Sequence, residues 1–261
     1  RIISGTTSPS PPREIMLSFV GATVVADNVN PLTITAGDLH GSATTGDFML
    51  VAVSAGLFTG GDIDTSALGW TRGLGDTGAE FSPGIIYAVA GFAGVVGNAA
   101  LPAEFDFSSW YGYSRAVIAV FRPSADIAAT GRGSALRHAT SGPVWDPGGP
   151  TSANETVAIA STFTNGIWET SRLTSLTGSS GWADAATIDW PPWAEVGGIG
   201  AGNVKVATGD VGRTASLPAW NRDNTGVYAP IVGVAWAVEA ATPASGWHIG
   251  SLRFGSTGPG W

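Results

Sequence analysis

The feature of this sequence that most constrains its fold is an internal repeat, because a repeat decides the architecture before any single motif does. Five anchors occur twice in the same order, separated by between 108 residues (Gly46 to Asn154) and 118 residues (Ile86 to Val204). They are Gly46-Asp47 before 48–55 and Asn154-Glu155 before 156–163, Gly69-Trp70 and Gly181-Trp182, 86–91 and 204–209, 101–103 and 217–219, and 117–121 and 232–236. A collinear set with so little drift predicts two homologous units.

Composition indicates that these units are built from strands. Charged residues are 12% of the chain, about half the ~25% of an ordinary globular protein. Gly, at 38 residues, is about twice as frequent as its usual ~7%. Strong helix formers are scarce, whereas 44% hydrophobic content with 11 Trp supplies enough apolar surface to fold. Seven apolar segments of strand length lie between turn-forming residues: 17–25, 48–55, 84–90, 116–121, 156–164, 204–208 and 231–238.

We therefore predict an all-β fold of two tandem β-sandwich, jelly-roll-like units with extended N- and C-terminal tails. Within 231–238, large residues alternate with small ones, which predicts a strand covered on both sides with its large side in the core. The predicted parts are an N-terminal arm (1–16), a first unit (17–124), a second unit (130–241), and a linker with an anchoring strand (242–261), and the boundary between the units is expected in 123–133.

The two tails suggest how the chain assembles. Prolines at positions 9, 11 and 12 favour an extended arm, either solvated or laid across a neighbouring subunit. The C-terminal segment 247–254 alternates in the manner of a strand but is too short to fold alone. It is expected to pair with a partner sheet, and its anchor residues are Trp247, Ile249, Leu252 and Phe254.

Charge and cysteine content exclude several classes of protein. With 20 acidic and 12 basic residues the formal net charge is −8, and no basic stripe could neutralise phosphates, so nucleic acid is not an expected partner. The absence of cysteine excludes disulfides, thiolate nucleophiles and cysteine zinc sites. No apolar run approaches the ~20 residues that cross a bilayer. So few charges would leave a neutral surface, which favours burial against neighbours and a homo-oligomer.

Catalytic motifs are weak. Glu104 and Asp106 alternate with aromatics and would share one strand face, as the carboxylates of a glycosidase do. The next position on that face is Ser108, so the third carboxylate of the Glu-x-Asp-x-Glu pattern is missing, and a solvated face is the preferred interpretation. There is no Gly-x-Ser-x-Gly elbow. We expect no catalytic residues and no enzyme.

Metal and cofactor sites are not expected either. His40, His138 and His248 lack local metal-ligand spacing. The stretch 62–66, and Asn221 with Asp223 and Asn224, could offer oxygen ligands to calcium. Asp and Asn also bond their own backbone in loops, and neither stretch has EF-hand spacing, so the turn interpretation is preferred.

Four tryptophans lie in or beside irregular segments, namely Trp168, Trp190, Trp193 and Trp220. Such side chains can stack on sugar rings or anchor a protein interface. They can also plug the open ends of a sandwich, which is the preferred interpretation because Trp is highly buried on average. If any region binds a glycan, this one is predicted to do so.

The anchors of the first unit resemble those of virion structural proteins of tailed bacteriophages, the minor tail, fibre and decoration modules. The residues that carry the resemblance are 46–51, Gly69-Trp70, 86–90 and 116–121. It covers 17–122 well and 130–241 more loosely, since Asn154-Glu155 replaces Gly-Asp there. The resemblance implies sandwich modules without catalysis.

The predicted function is accordingly a structural protein of a phage virion, in the tail, a fibre or the capsid decoration. It would assemble in the host cytoplasm through its termini, with other virion proteins, and act in the extracellular particle, where it could contribute to host attachment. The alternative is a carbohydrate-binding module that uses the Trp-rich loops.

Overall fold

The computed structural model describes residues 17–25, 28–73, 77–125, 127–128, 134–137, 155–162, 171–177, 182–189, 203–209, 219–224 and 231–240. The strands of the first half are β1 (Leu17–Val25), β2 (Leu32–Ile34), β3 (Phe48–Phe58), β4 (Ile63–Asp64), β5 (Thr71–Arg72), β6 (Thr77–Ser82), β7 (Ile85–Val95), β8 (Ala103–Phe107) and β9 (Trp110–Pro123). Those that follow are β10 (Ile127–Ala128), β11 (Ser134–Arg137), β12 (Glu155–Thr162), β13 (Ser171–Thr177), β14 (Trp182–Asp189), β15 (Asn203–Gly209), β16 (Ala219–Asn224) and β17 (Ile231–Ala240). Apart from a 3₁₀ turn at Ala36–Asp38, the regular structure of the described residues is strand, which confirms the all-β fold class.

A six-stranded antiparallel sheet in the order β1-β9-β3-β7-β5, with β6 also paired to β7, forms the centre of the first half. Ten of the eleven residues of β3 are buried, from Phe48 to Leu57. A strand buried at successive positions must be covered on both faces, since side chains alternate between faces. The small sheet β2-β8-β4 covers one of them, and Leu32, Phe105 and Ile63 from its strands share a buried cluster with Met49 and Val51 of β3.

The strands of the second half form another six-stranded antiparallel sheet with a similar strand arrangement. Its order is β10-β17-β12-β15-β14, with β11 also paired to β17, and a separate two-stranded sheet joins β13 to β16. Val234, Trp236 and Val238 of β17 are buried, so these three residues of the predicted large face lie in the core. Lys205 of β15 is also buried, and its Nζ lies 3.6 Å from Oδ2 of Asp184 on β14.

The second face of β3 packs against this second sheet. Phe48 and Leu50 of β3 belong to one buried cluster with Val157 of β12, Val206 of β15 and Trp236 of β17. The two large sheets thus share a single apolar core. The division into units 17–124 and 130–241, and the tandem jelly-roll arrangement, stay predictions. Residues 127–128, just beyond the first predicted unit, already pair with β17.

The repeat anchors correspond strand by strand but not residue by residue. β3, β7 and β9 occupy the same places in their sheet as β12, β15 and β17 do in theirs. Phe48 lies opposite Phe121, whereas Val157, not Thr156, lies opposite Trp236. A shift of one residue moves every side chain to the other face, so the anchors locate the strands without fixing which side of each strand is inward.

Candidate functional site

Arg122 and Asp47 form a clasp at the end of the first sheet where β3 begins. Arg122 Nε donates to Oδ1 of Asp47 at 3.0 Å and Nη2 donates to Oδ2 at 2.9 Å. Thr44 also donates to Oδ2, from its backbone N at 2.8 Å and its hydroxyl at 3.1 Å. Gly46 takes φ +95°, a left-handed conformation that glycine adopts without strain. The Gly-Asp motif of the sequence is therefore a turn whose carboxylate is held by the neighbouring strand β9.

The pKa values of both partners in the clasp are shifted. Burial of Asp47 by itself raises the pKa of its carboxyl, but hydrogen bonds from Arg122 and Thr44 outweigh it and leave the pKa below the usual 3.8. The hydrogen bonds to Asp47 raise the pKa of Arg122 in turn. An ion pair of this kind favours a permanently charged structural link over proton transfer.

A cleft of about 490 Å³ lies beside the clasp. Thr45, Asn98, Arg122 and Ser124 give it a polar lining, and Ile127 closes it from the segment that pairs with the second sheet. The guanidinium already donates to Asp47, Ser42 O and the Thr44 hydroxyl, so much of its bonding capacity is used within the fold. We therefore interpret the cleft as a gap between packed segments of the fold and not as a binding site.

The opposite end of β3 carries an exposed aromatic pair. Phe58 and Tyr111 are 48% and 45% exposed, and their ring centroids lie 5.4 Å apart with the planes at 84°. The pairing of β3 with β9 shifts register twice here, between Ala55 and Gly56 and between Gly56 and Leu57. No pattern of the sequence drew attention to this pair, since a register shift depends on the partner strand and not on local periodicity.

The carboxylates of β8 face solvent, as the alternation predicts. Glu104 and Asp106 are exposed, while the alternate residues Ala103, Phe105 and Phe107 are buried. Asp106 lies opposite Asp64 of β4, and Glu104 lies opposite Thr33 of β2.

The neighbouring stretch 62–66 uses its carboxylates to hold the loop. Asp62 Oδ1 accepts from the N–H of Ile63 at 2.8 Å, and Asp64 Oδ1 accepts from that of Thr65 at 2.8 Å. Arg72 pairs with Asp62, and hydrogen bonds from its guanidinium lower the pKa of that carboxyl. Among the described residues, no group of three or more His, Asp or Glu side chains is arranged to hold a metal ion.

Over the described ranges, the structure does not assemble the other residues that the sequence singled out for glycan contact, anchoring or metal binding into a site. Trp168, Trp190, Trp193 and the anchor Trp247, Ile249, Leu252 and Phe254 lie outside the described residues, as do His138 and His248. Trp220 lies in β16, where its backbone pairs with Leu176, and Asn221, Asp223 and Asn224 follow it in that strand and not in a loop. The imidazole of His40 packs directly over the Cα of Gly21 in β1.

Comparison with known proteins identifies no relative: no family model, no curated protein and no solved structure matches the chain significantly. Within the part of the chain that the structure describes, no helix has the length and apolar character needed to cross a membrane.

Proposed function

We propose that the chain is a non-enzymatic structural component of a tailed-bacteriophage virion, located in the tail, a fibre or the capsid decoration. The observation that supports this most is the layered packing of β3, whose two faces are covered by β2-β8-β4 on one side and by the second large sheet on the other. An architecture of this kind uses its sheet faces to build a rigid body. Its strand ends and its tails then serve for contact with other molecules.

The charged groups of the described residues support the same interpretation. Asp47 and Arg122 lock a turn to a strand, and Asp62 and Arg72 join the loop before β4 to β5. Structural ion pairs also perturb pKa values, so the lowered pKa values of Asp47 and Asp62 fit carboxylates that are committed to holding the fold.

The proposal is tested on phage particles whose genome encodes the chain. Antibodies raised against the purified protein should label intact particles at regular positions in immunogold electron microscopy, and the chain should be recovered from purified virions by mass spectrometry. Its absence from purified particles would contradict a virion role. Labelling of the tail or of the head would distinguish a tail or fibre protein from a capsid decoration.

Assembly through the C-terminal segment is tested separately by deletion of residues 243–261. We expect the shortened protein to keep the circular dichroism spectrum of strands and to be lost from the particles. A matched variant with Trp247 and Phe254 changed to Ser leaves the chain length unaltered and should show the same loss. Full incorporation of both variants would remove the anchoring role of this segment without affecting the virion assignment.

A further inference from the structure

The strand ends around Phe58 and Tyr111 form a surface that the scaffold does not require. Phe58 is the last residue of β3, and Tyr111 is the second residue of β9. Both rings are about half exposed although other large apolar side chains of these strands, such as Leu57 and Phe121, are fully buried. Burying an aromatic ring stabilises a fold, so two adjacent exposed rings at one strand end call for a specific reason.

The local backbone is shaped so that Tyr111 faces outward. Trp110 lies opposite Leu57, and Gly112 lies opposite Gly56, so Tyr111 is the inserted residue of a bulge in β9. Gly112 has φ 143°, a value that L residues rarely adopt. Bulges of this kind re-aim a side chain and are frequent beside binding sites. Here the bulge directs Trp110 toward the core cluster beneath the sheet and places Tyr111 beside Phe58.

The loops beside the aromatic pair are tied together by backbone hydrogen bonds. The N–H of Phe58 donates to the carbonyl of Ser109 at 2.8 Å, and that of Thr59 donates to the carbonyl of Gly84 at 3.0 Å. The N–H of Gly61 donates back to the carbonyl of Phe58 at 2.9 Å. Binding here would therefore cost little conformational entropy for ordering the site, and a small contact area could then give a measurable affinity.

The size of the surface selects the class of ligand. An aromatic side chain offers ~150–250 Å², so two half-exposed rings present about 200 Å². A stable protein interface needs about 800 Å² on each partner. One sugar ring, whose C–H face fits against the negative face of an aromatic ring, needs no more than such a surface. Thr59 follows Phe58 in the chain, and Ser108 and Ser109 come just before β9, so their hydroxyls are the nearest in sequence that could bond those of a sugar.

The acidic side chains near the aromatic pair narrow the class of saccharide further. The loop that leads into β9 is joined to Asp62, because Ser108 N donates to the carbonyl of Asp62 and Ser108 Oγ accepts from its N–H. The adjoining small sheet and its loop carry four carboxylates, those of Asp62, Asp64, Glu104 and Asp106. Arg72 pairs with the first two of them, Asp62 and Asp64. An anionic sugar would be repelled by this surface. We propose that Phe58 and Tyr111 form a binding site for a neutral saccharide ring, a site that is independent of whether the chain belongs to a virion.

The test uses the whole chain and a set of neutral saccharides, comprising oligomers of glucose, galactose, mannose and N-acetylglucosamine, with sialylated oligosaccharides beside them. Saturation-transfer NMR should detect a neutral saccharide, and Tyr111→Ala should weaken its binding about tenfold, which corresponds to ~1.4 kcal/mol. Tyr111→Phe keeps the ring and should bind as the unaltered protein does. Leu68→Ala removes another exposed side chain, at 80% exposure, and should leave binding unchanged.

A measurement without substitutions guards against variants that fold poorly. Tetranitromethane should nitrate Tyr111 in the free protein, and a bound neutral saccharide should protect it, as peptide mass spectrometry would show. Absence of binding to every neutral saccharide at millimolar concentration would overturn the proposal. So would stronger binding of the sialylated set, unaltered binding by Phe58→Ala/Tyr111→Ala, or self-association that the same double variant abolishes.

Discussion

The carboxylate of Asp47 and the guanidinium of Arg122 meet side-on through two hydrogen bonds, at 3.0 and 2.9 Å, across 75 positions of sequence. The pair joins the turn before β3 to the last positions of β9, two neighbouring strands at the centre of the first sheet. Because Asp47 is only 3% exposed, its charge depends on these donors and on Thr44 in place of water. We therefore expect the free energy of unfolding to depend on this clasp, both when Asp47 is replaced and when the pH is lowered.

Replacing Asp47 by Asn should destabilise the fold by about 1–3 kcal/mol, since an amide places an N–H₂ group against donors and leaves a buried group unsatisfied. The free energy of unfolding from urea titration, followed by circular dichroism, gives the measurement. Glu104→Gln removes an exposed carboxylate and should change stability by less than about 0.5 kcal/mol. Equal effects of the two substitutions would mean that the clasp contributes nothing beyond surface charge.

Acid should weaken the fold through the same residue. The pKa values of Asp47 and Asp62 lie below the usual 3.8, so near that pH the unfolded chain binds more protons than the folded one. Stability from these carboxylates is then fully present above about pH 4–5 and is lost as the pH falls below 3.8. The urea midpoint should drop between pH 5 and pH 3, and the gap between the unaltered protein and Asp47→Asn should narrow. A gap that stays constant would refute the linkage.

The long strands could be predicted from the sequence because their signal is local. Each of the seven apolar segments overlaps a strand, and β1 has the predicted bounds Leu17–Val25. Short or polar strands, such as β5 (Thr71–Arg72) and β13 (Ser171–Thr177), were missed, since two residues show no periodicity and Ser and Thr are equally common in loops. The alternation in β8 was correct because burial on one face only is what a period of two records.

Relations between distant strands could not be predicted. A continuous apolar run such as 48–57 indicates that both faces are covered but does not say by what, and the second large sheet proved to be one of the covers. The Tyr111 bulge depends on the register between β9 and β3, which is a property of the pair. The predicted Trp-rich site and C-terminal anchor stay predictions.

The contact between His40 and Gly21 gives a test of close packing on β1. A Cβ at position 21 would overlap the imidazole ring, so Gly21→Ala should cost about 1–3 kcal/mol. The double variant Gly21→Ala/His40→Ala should recover most of that loss in thermal unfolding. Gly41→Ala, where nothing lies within 4 Å of the new methyl group, is the matched control and should be close to neutral. Failure of the second substitution to rescue the first would show that a contact other than the one with the imidazole ring sets the cost.

Trp236 tests whether the two large sheets share one core. It is fully buried in the cluster that also contains Phe48 and Leu50, and its Nε1 has no hydrogen-bond partner among the described residues. Trp236→Ala should therefore destabilise by about 3–5 kcal/mol through the cavity it leaves. Trp236→Phe should cost clearly less, because the loss of ring volume is partly offset by removal of an unsatisfied N–H.

Since the cluster joins both sheets, urea unfolding followed by circular dichroism and by tryptophan fluorescence should give one coincident transition in the unaltered protein. Two separate transitions, with only the second sensitive to Trp236→Ala, would show that the sheets fold as independent bodies and that the shared core contributes little.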